Sequence, residues 1–202
     1  MSRAAPVAGT TSQLPLFPLN AVLFPGGPLS LRIFETRYVD MVRRCMRDQS
    51  GFGVVLIRSG AEAGEVARSA AIGTLANIVD FNQLPDGLLG ITALGSHRFR
   101  VLRRWRADDG LNVADVEWLA EAVEVAPTEI HEHLGQLLRK FLPELDEVYR
   151  FVQADFGSAA WISARLAELL PVSLEDKQAW LEMDDPLERL NAVAPFIRRP
   201  PH

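Results

Sequence analysis

The residues able to carry covalent or metal chemistry are few in this chain. Cys45 is the single thiol among 202 residues, and the four histidines are His97, His131, His133 and His202. A thiolate beside an imidazole is a nucleophile with its base, and Cys45 and His97 need only meet in space to form one. Against this, Cys45 falls on the apolar stripe of a predicted helix, where a thiol is ordinarily buried and inert. His131 and His133 stand two apart on a helix, about 200° round its axis, so they cannot bind one ion together. Glu129 and His133, at i and i+4, are the better-placed pair, although they read as a solvated helix face. A phosphate cradle needs Gly-Lys-Ser or Gly-Lys-Thr, whose amides and lysine hold the phosphates. The two lysines, Lys140 and Lys177, neither follow glycine nor precede Ser or Thr, which excludes ATP hydrolysis by that route. There is no Gly-x-Ser-x-Gly elbow, and Gly95-Ser96-His97 reads as a strand-end turn. No catalytic residue, metal site or cofactor is expected.

Arginine is the residue type with a local excess. Arg98, Arg100, Arg103, Arg104 and Arg106 put five arginines in nine residues, interleaved with Phe99, Val101 and Trp105, the look of a nucleic-acid patch. The competing reading is a half-buried strand with Phe99 and Val101 inward, Arg98 and Arg100 outward, and Asp108, Asp109, Asp115 and Glu117 close enough to pair. Net charge is −5 overall. It is +2 up to Leu119 and −7 beyond, so the chain changes character near its middle.

The elements that must position these residues follow the same division. Residues 14–19 and 28–34 are short apolar runs broken by Pro15, Pro18, Pro25, Gly26, Gly27 and Pro28, as in strands at corners or edges. Between residues 35 and 49 the period becomes helical, with Tyr38, Met41, Val42, Cys45 and Met46 as the stripe and Arg37, Arg43, Arg44 and Arg47 facing water. Period two returns at residues 52–58 and 70–81, on either side of a small-residue loop at 59–69. Leu84-Pro85-Asp86-Gly87-Leu88 is a hairpin turn, and further strands are predicted over 88–94, 98–105 and 112–118. After Pro127 the texture is helical. Helices are predicted from Thr128, over 144–154, over 158–170, from the cap Ser173, and from Asp185 with Pro186 at the first position. The reading is therefore an N-terminus at 1–12 that is disordered or loosely attached, a β-domain at 13–125 and a helical subdomain at 126–202. One cysteine permits no internal disulfide, and no apolar run approaches the ~18 residues of a membrane span. Met1 to Ser12 lacks a signal-peptide layout, so a soluble cytoplasmic protein with no membrane contact is expected.

Three ordered stretches carry a resemblance: Leu14-Pro15-Leu16-Phe17-Pro18-Leu19, Leu23-Phe24-Pro25-Gly26, and Ile33-Phe34-Glu35-Thr36-Arg37-Tyr38. With Ile72-Gly73-Thr74-Leu75, the 84–87 hairpin, the 95–101 stretch, Leu169-Leu170-Pro171 and residues 181–185, they resemble the Lon protease N-terminal substrate-binding domain family, in its small bacterial stand-alone form. That resemblance implies an α+β fold: a PUA-like twisted β pseudo-barrel holding one helix, followed by a C-terminal α-helical bundle. It implies a non-catalytic module that recognises unfolded or extended polypeptide, or a protein partner, as an adaptor or chaperone-like protein. The ATPase and Ser-Lys peptidase regions of the full-length proteases are not in this sequence. Thr36 stands where the family often has proline, and Gly27-Pro28 replaces a more apolar pair. Phe17, Leu19, Phe24, Leu31, Ile33 and Phe34 read as core, Gly26 and Gly87 as turn positions, and Glu35 as an acid at a helix start. A polypeptide would lie in an apolar concavity between sheet and tail, or add to an exposed strand edge. The candidate contacts are Phe52, Phe81, Trp105 and Trp118. RNA binding through Arg98, Arg100, Arg103 and Arg104 is the alternative.

Overall fold

Among the described residues up to 118, alternation with a period of two produces seven strands, and the one helical stretch becomes the helix they enclose. The computed structural model describes residues 6–59, 68–145 and 147–197. The strands are β1 (Thr11–Leu19), β2 (Pro28–Ile33), β3 (Phe52–Ser59), β4 (Arg68–Ser69), β5 (Ile72–Gln83), β6 (Leu89–Arg106) and β7 (Asn112–Trp118), with α1 (Thr36–Arg47) between β2 and β3. Their order is β1-β7-β6-β5-β3-β4, antiparallel throughout, with β2 on β6, and β1 pairs β3 in parallel, Leu16 opposite Gly53, which closes the ring. Strand pairing starts at Thr11, opposite Glu117. The small-residue loop expected over 59–69 lies largely outside the described residues.

The 84–88 turn closes the β5–β6 hairpin as its residues require, with Gly87 at φ 85° and the Leu84 amide donating to the Leu88 carbonyl over 2.8 Å. The expected break at Gly95-Ser96-His97 is absent, because β6 runs unbroken for 18 residues. Its first part pairs with β2, its last part with β7, and β5 follows its other side. Gly95 carries the ladder across the change of partner: its carbonyl accepts from the Gly26 amide and its amide donates to the Gly27 carbonyl, each at 2.8 Å.

Tyr38, Met41, Val42 and Cys45 of α1 are buried against Phe17, Phe52 and Ile91, with the Phe17 and Tyr38 rings stacked at 3.9 Å. Three expectations for this region are corrected. Phe34 is 67% exposed, because pairing ends at Ile33 and the alternation turns the next residue outward. Met46 lies at the margin of the stripe and is exposed. Arg37 is largely buried, held 2.7 Å from Glu35 while donating to the Gly110 carbonyl at 2.9 Å.

The tail contains α2 (Glu132–Phe141), α3 (Ala159–Leu169), α4 (Leu174–Glu182) and α5 (Pro186–Val193). Ser158, Ser173 and Asp185 each cap a helix through the side chain, and Pro186 follows as N1. The helix predicted over 144–154 is instead two short 3-10 pieces, Leu142–Glu144 and Glu147–Phe151. None of the described residues in either piece is fully buried, so no packed face sustains a longer helix there. The helical core of Leu134, Ile162, Trp180, Leu181 and Leu190 also takes in Phe24, wholly buried, from the β1–β2 connection. The tail is thereby anchored on the barrel rather than merely tethered to it. Gln178 adds a hydrogen bond to the Ile72 carbonyl at 3.0 Å.

Candidate functional site

The barrel wall opens where β3 begins. Gly53 of β3 has Leu16 of β1 on one side and Leu75 of β5 on the other. β1 is parallel to β3 and β5 antiparallel, so β1 residues before Leu16 and β5 residues after Ala76 flank the row that β3 would fill if it began earlier. It cannot begin earlier. The chain arrives from α1 through Gln49, at φ 49°, with the Ser50 amide donating to the Cys45 carbonyl at 2.9 Å. Gly51 is pressed so closely on β5 that an added Cβ would lie 2.5 Å from the Ala76 carbonyl oxygen.

The row left open is a cleft of about 960 Å³. One wall is Thr10, Ser12, Gln13 and Leu14, the other Leu75 and residues 77–81; the end of α1 and residues 49–51 form the floor, with His97 and Trp118 at one end. Neither wall pairs with a second strand there among the described residues. Among the described residues, no lysine or arginine lines it, and the one carboxylate, Asp80, is 3.1 Å from Arg150. Exposed Val79 and Phe81 stand on the β5 wall. Its described lining mixes apolar with neutral polar side chains, which offers a phosphate no cation.

Cys45 and His97 do line the same cleft, but the structure does not join them as nucleophile and base. The Cys45 thiol donates to the Gly51 carbonyl at 3.5 Å, while His97 Nε2 lies 2.8 Å from Glu121. Burial pushes the Cys45 thiol up from its ordinary value, away from the thiolate. A maleimide should therefore label Cys45 in the folded protein more than about tenfold slower than in urea. Equal rates, followed by mass spectrometry, would contradict the burial.

Of the four apolar candidates, Phe81 and Trp118 border the cleft. Phe81 is 57% exposed, and the Trp118 indole, mostly buried, donates to Ser12 Oγ at 3.0 Å. Phe52 is corrected to a core residue, wholly covered under α1. Trp105 lies on β6 opposite Val113, away from the cleft, beneath the Arg103 guanidinium at 4.9 Å. The cleft itself was missed in the sequence. Its available signal was unequal strand length, since β1 and β5 extend past the point where the β3 run starts at Phe52.

The arginine run is divided by what covers it. Arg98, expected to face outward, is buried: its guanidinium donates to the Leu181 and Met183 carbonyls at 2.9 and 3.0 Å and to Asp184 at 2.7 Å. Arg98 stays in regular alternation with Phe99 and Arg100, so it is the tail packed over that outer face that buries it. Arg100 and Arg103 do face outward, and each meets a cross-strand carboxylate at 3.2 Å, Glu117 and Asp115. Arg104 bonds the Ser69 carbonyl at 3.2 Å. His131 is likewise buried, bonded to Thr128 Oγ1 at 2.8 Å and Asn191 Oδ1 at 3.1 Å, whereas Glu129 and His133 remain exposed. Among the described residues, no three His, Cys, Asp or Glu gather as a metal site, and no helix is long and apolar enough to cross a membrane.

Comparison with known proteins adds the family. Residues 13–199 match the model of the ATP-dependent protease La (LON) substrate-binding domain. Lon protease 2 of Myxococcus xanthus is 27% identical over 193 residues, covering 92% of this chain and 23% of that protein. The chain thus spans about a quarter of the length of the curated Lon proteases it matches. A Lon N-terminal domain protein from Xanthomonas campestris superposes with a TM-score of 0.76 at 38% identity, over 93% of this chain and 99% of that one. The N-terminal domain of the Mycobacterium avium complex Lon protease shares the fold, with a TM-score of 0.61 at 14% identity over 92% of this chain and 97% of that one. The chain belongs to the LON substrate-binding domain family.

Proposed function

We propose that this chain recognises polypeptide without chemically altering it, binding unfolded or extended segments in the cleft between β1 and β5 as an adaptor or chaperone-like module. The observation that carries the reading is the lining of that cleft: two strand margins, exposed Val79 and Phe81, and no cationic side chain among the described residues. Family membership supports it, since the matched region is the substrate-binding part of the related proteases. A nucleic acid would need cations along its path. Arg98, Arg100 and Arg103 are instead already engaged by carboxylates.

The test is fluorescence anisotropy with a labelled, reduced and alkylated protein that cannot refold. Saturable binding is expected. Phe81→Ala combined with Val79→Ser should weaken it about tenfold, the effect of losing about 1–2 kcal/mol of apolar contact. Both side chains are exposed, so the melting temperature should hardly move. Absence of binding, or full binding by the double variant, would remove the cleft from this role.

A further inference from the structure

We infer that the polypeptide enters the cleft as the missing stretch of β3, an added strand held by main-chain hydrogen bonds to β1 and β5 at once. This rests on the polypeptide-binding reading above and says how the ligand is held. Leu16, Gly53 and Leu75 stand side by side in one continuous sheet, so the row ahead of Phe52 has the width of one strand. Ser12, Gln13 and Leu14 line it from β1, while Asn77, Ile78 and Val79 line it from β5. In each strand alternate residues turn their amide and carbonyl to opposite edges. The outward edge of β1 is satisfied by β7, from Thr11 opposite Glu117 to Leu16 opposite Asn112, and that of β5 by β6. The edges facing the cleft have no strand among the described residues. Exposed edges of this kind are templates for another chain.

The occupant defined by these features is an extended peptide of about four or five residues, about 13–17 Å at the rise of a strand. It runs in the direction of β3, parallel to β1 and antiparallel to β5. Recognition through the main chain tolerates many sequences, while the apolar wall at Ile78 and Phe81 favours apolar side chains at alternate positions. A folded domain cannot present a single strand with both edges free, so the slot selects unfolded chain. Among the described residues, no lysine or arginine in the lining offers a partner to a phosphate backbone.

The experiment uses the whole chain and a fluorescein-labelled octapeptide of alternating Val and Thr. Two further versions carry N-methyl groups on the odd-numbered or on the even-numbered residues. Insertion between two strands engages the amides of both sets, so both methylated versions should bind at least about tenfold more weakly than the parent. Weakening by only one set would mean addition to a single edge and would overturn the bridging strand. Equal binding by all three would overturn main-chain recognition, yet leave polypeptide binding intact. If neither the parent peptide nor the alkylated unfolded protein binds, the underlying reading fails as well.

Discussion

Arg165→Met is expected to lower the free energy of unfolding by about 3–5 kcal/mol, measured by urea denaturation, because it strands a buried carboxylate. Arg165 is wholly buried on α3, its guanidinium 3.0 Å from Glu168 and donating to the Pro25 carbonyl at 3.0 Å. Tyr149 donates to the same carboxylate. Burial pushes the Glu168 carboxyl up and the Arg165 guanidinium down, so desolvation outweighs their attraction for both partners. Two guanidinium nitrogens, Nε and Nη1, are buried without a hydrogen-bond partner, which weakens the pair further. An ion pair so poorly compensated is replaceable. Arg165→Met with Glu168→Leu should recover stability to within about 1 kcal/mol of the native chain. A double variant no more stable than the single one would show that the pair itself stabilises the fold.

Arg98→Met should cost about 2–3 kcal/mol, since it removes three charge-assisted hydrogen bonds and leaves the Leu181 and Met183 carbonyls short of a donor at the junction of barrel and tail. Arg100→Gln and Arg103→Gln sit on the same strand. Both belong to exposed cross-strand ion pairs, and each should change stability by less than about 0.5 kcal/mol. Thermal unfolding of the three variants side by side separates the clamp from the surface pairs. Similar losses at all three positions would contradict the division of the run.

That division also shows which features could be read in the sequence. Strict alternation gave β7 over the same residues in prediction and structure, and the Ser158, Ser173 and Asp185 caps marked helices that form. Local chemistry determines those features, so they are legible locally. Arg98 does share the outer face with Arg100, but the tail packs over it there, and the partners that bury it lie 83 to 86 residues away. Phe34 and Arg37 were misread where β2 gives way to α1, since the last paired residue decides which side chain turns outward. The cleft was invisible for a related reason. It is defined by where three strands end relative to one another, and only the pairings disclose that. Phe81 and Trp118, which border the cleft, stand out in the sequence as aromatics, while its strand margins consist of ordinary Ser, Gln, Asn and Ile.

The closure of the ring by its first strand also fixes an order of events during synthesis. β1 depends on β7 for one edge, and the Ser12 and Trp118 side chains that meet there are 106 residues apart. At ribosomal rates of about 5–20 residues per second, the first strand waits roughly 5–20 s before its partner exists. β2, α1, β3, β5 and β6 can assemble in that interval through nearer contacts, with β1 joined to β3 on one side and its other edge open until β7 arrives. For that time the nascent chain displays the β7-facing edge of Leu14-Pro15-Leu16 without its partner strand, an apolar edge open to whatever other strand is near.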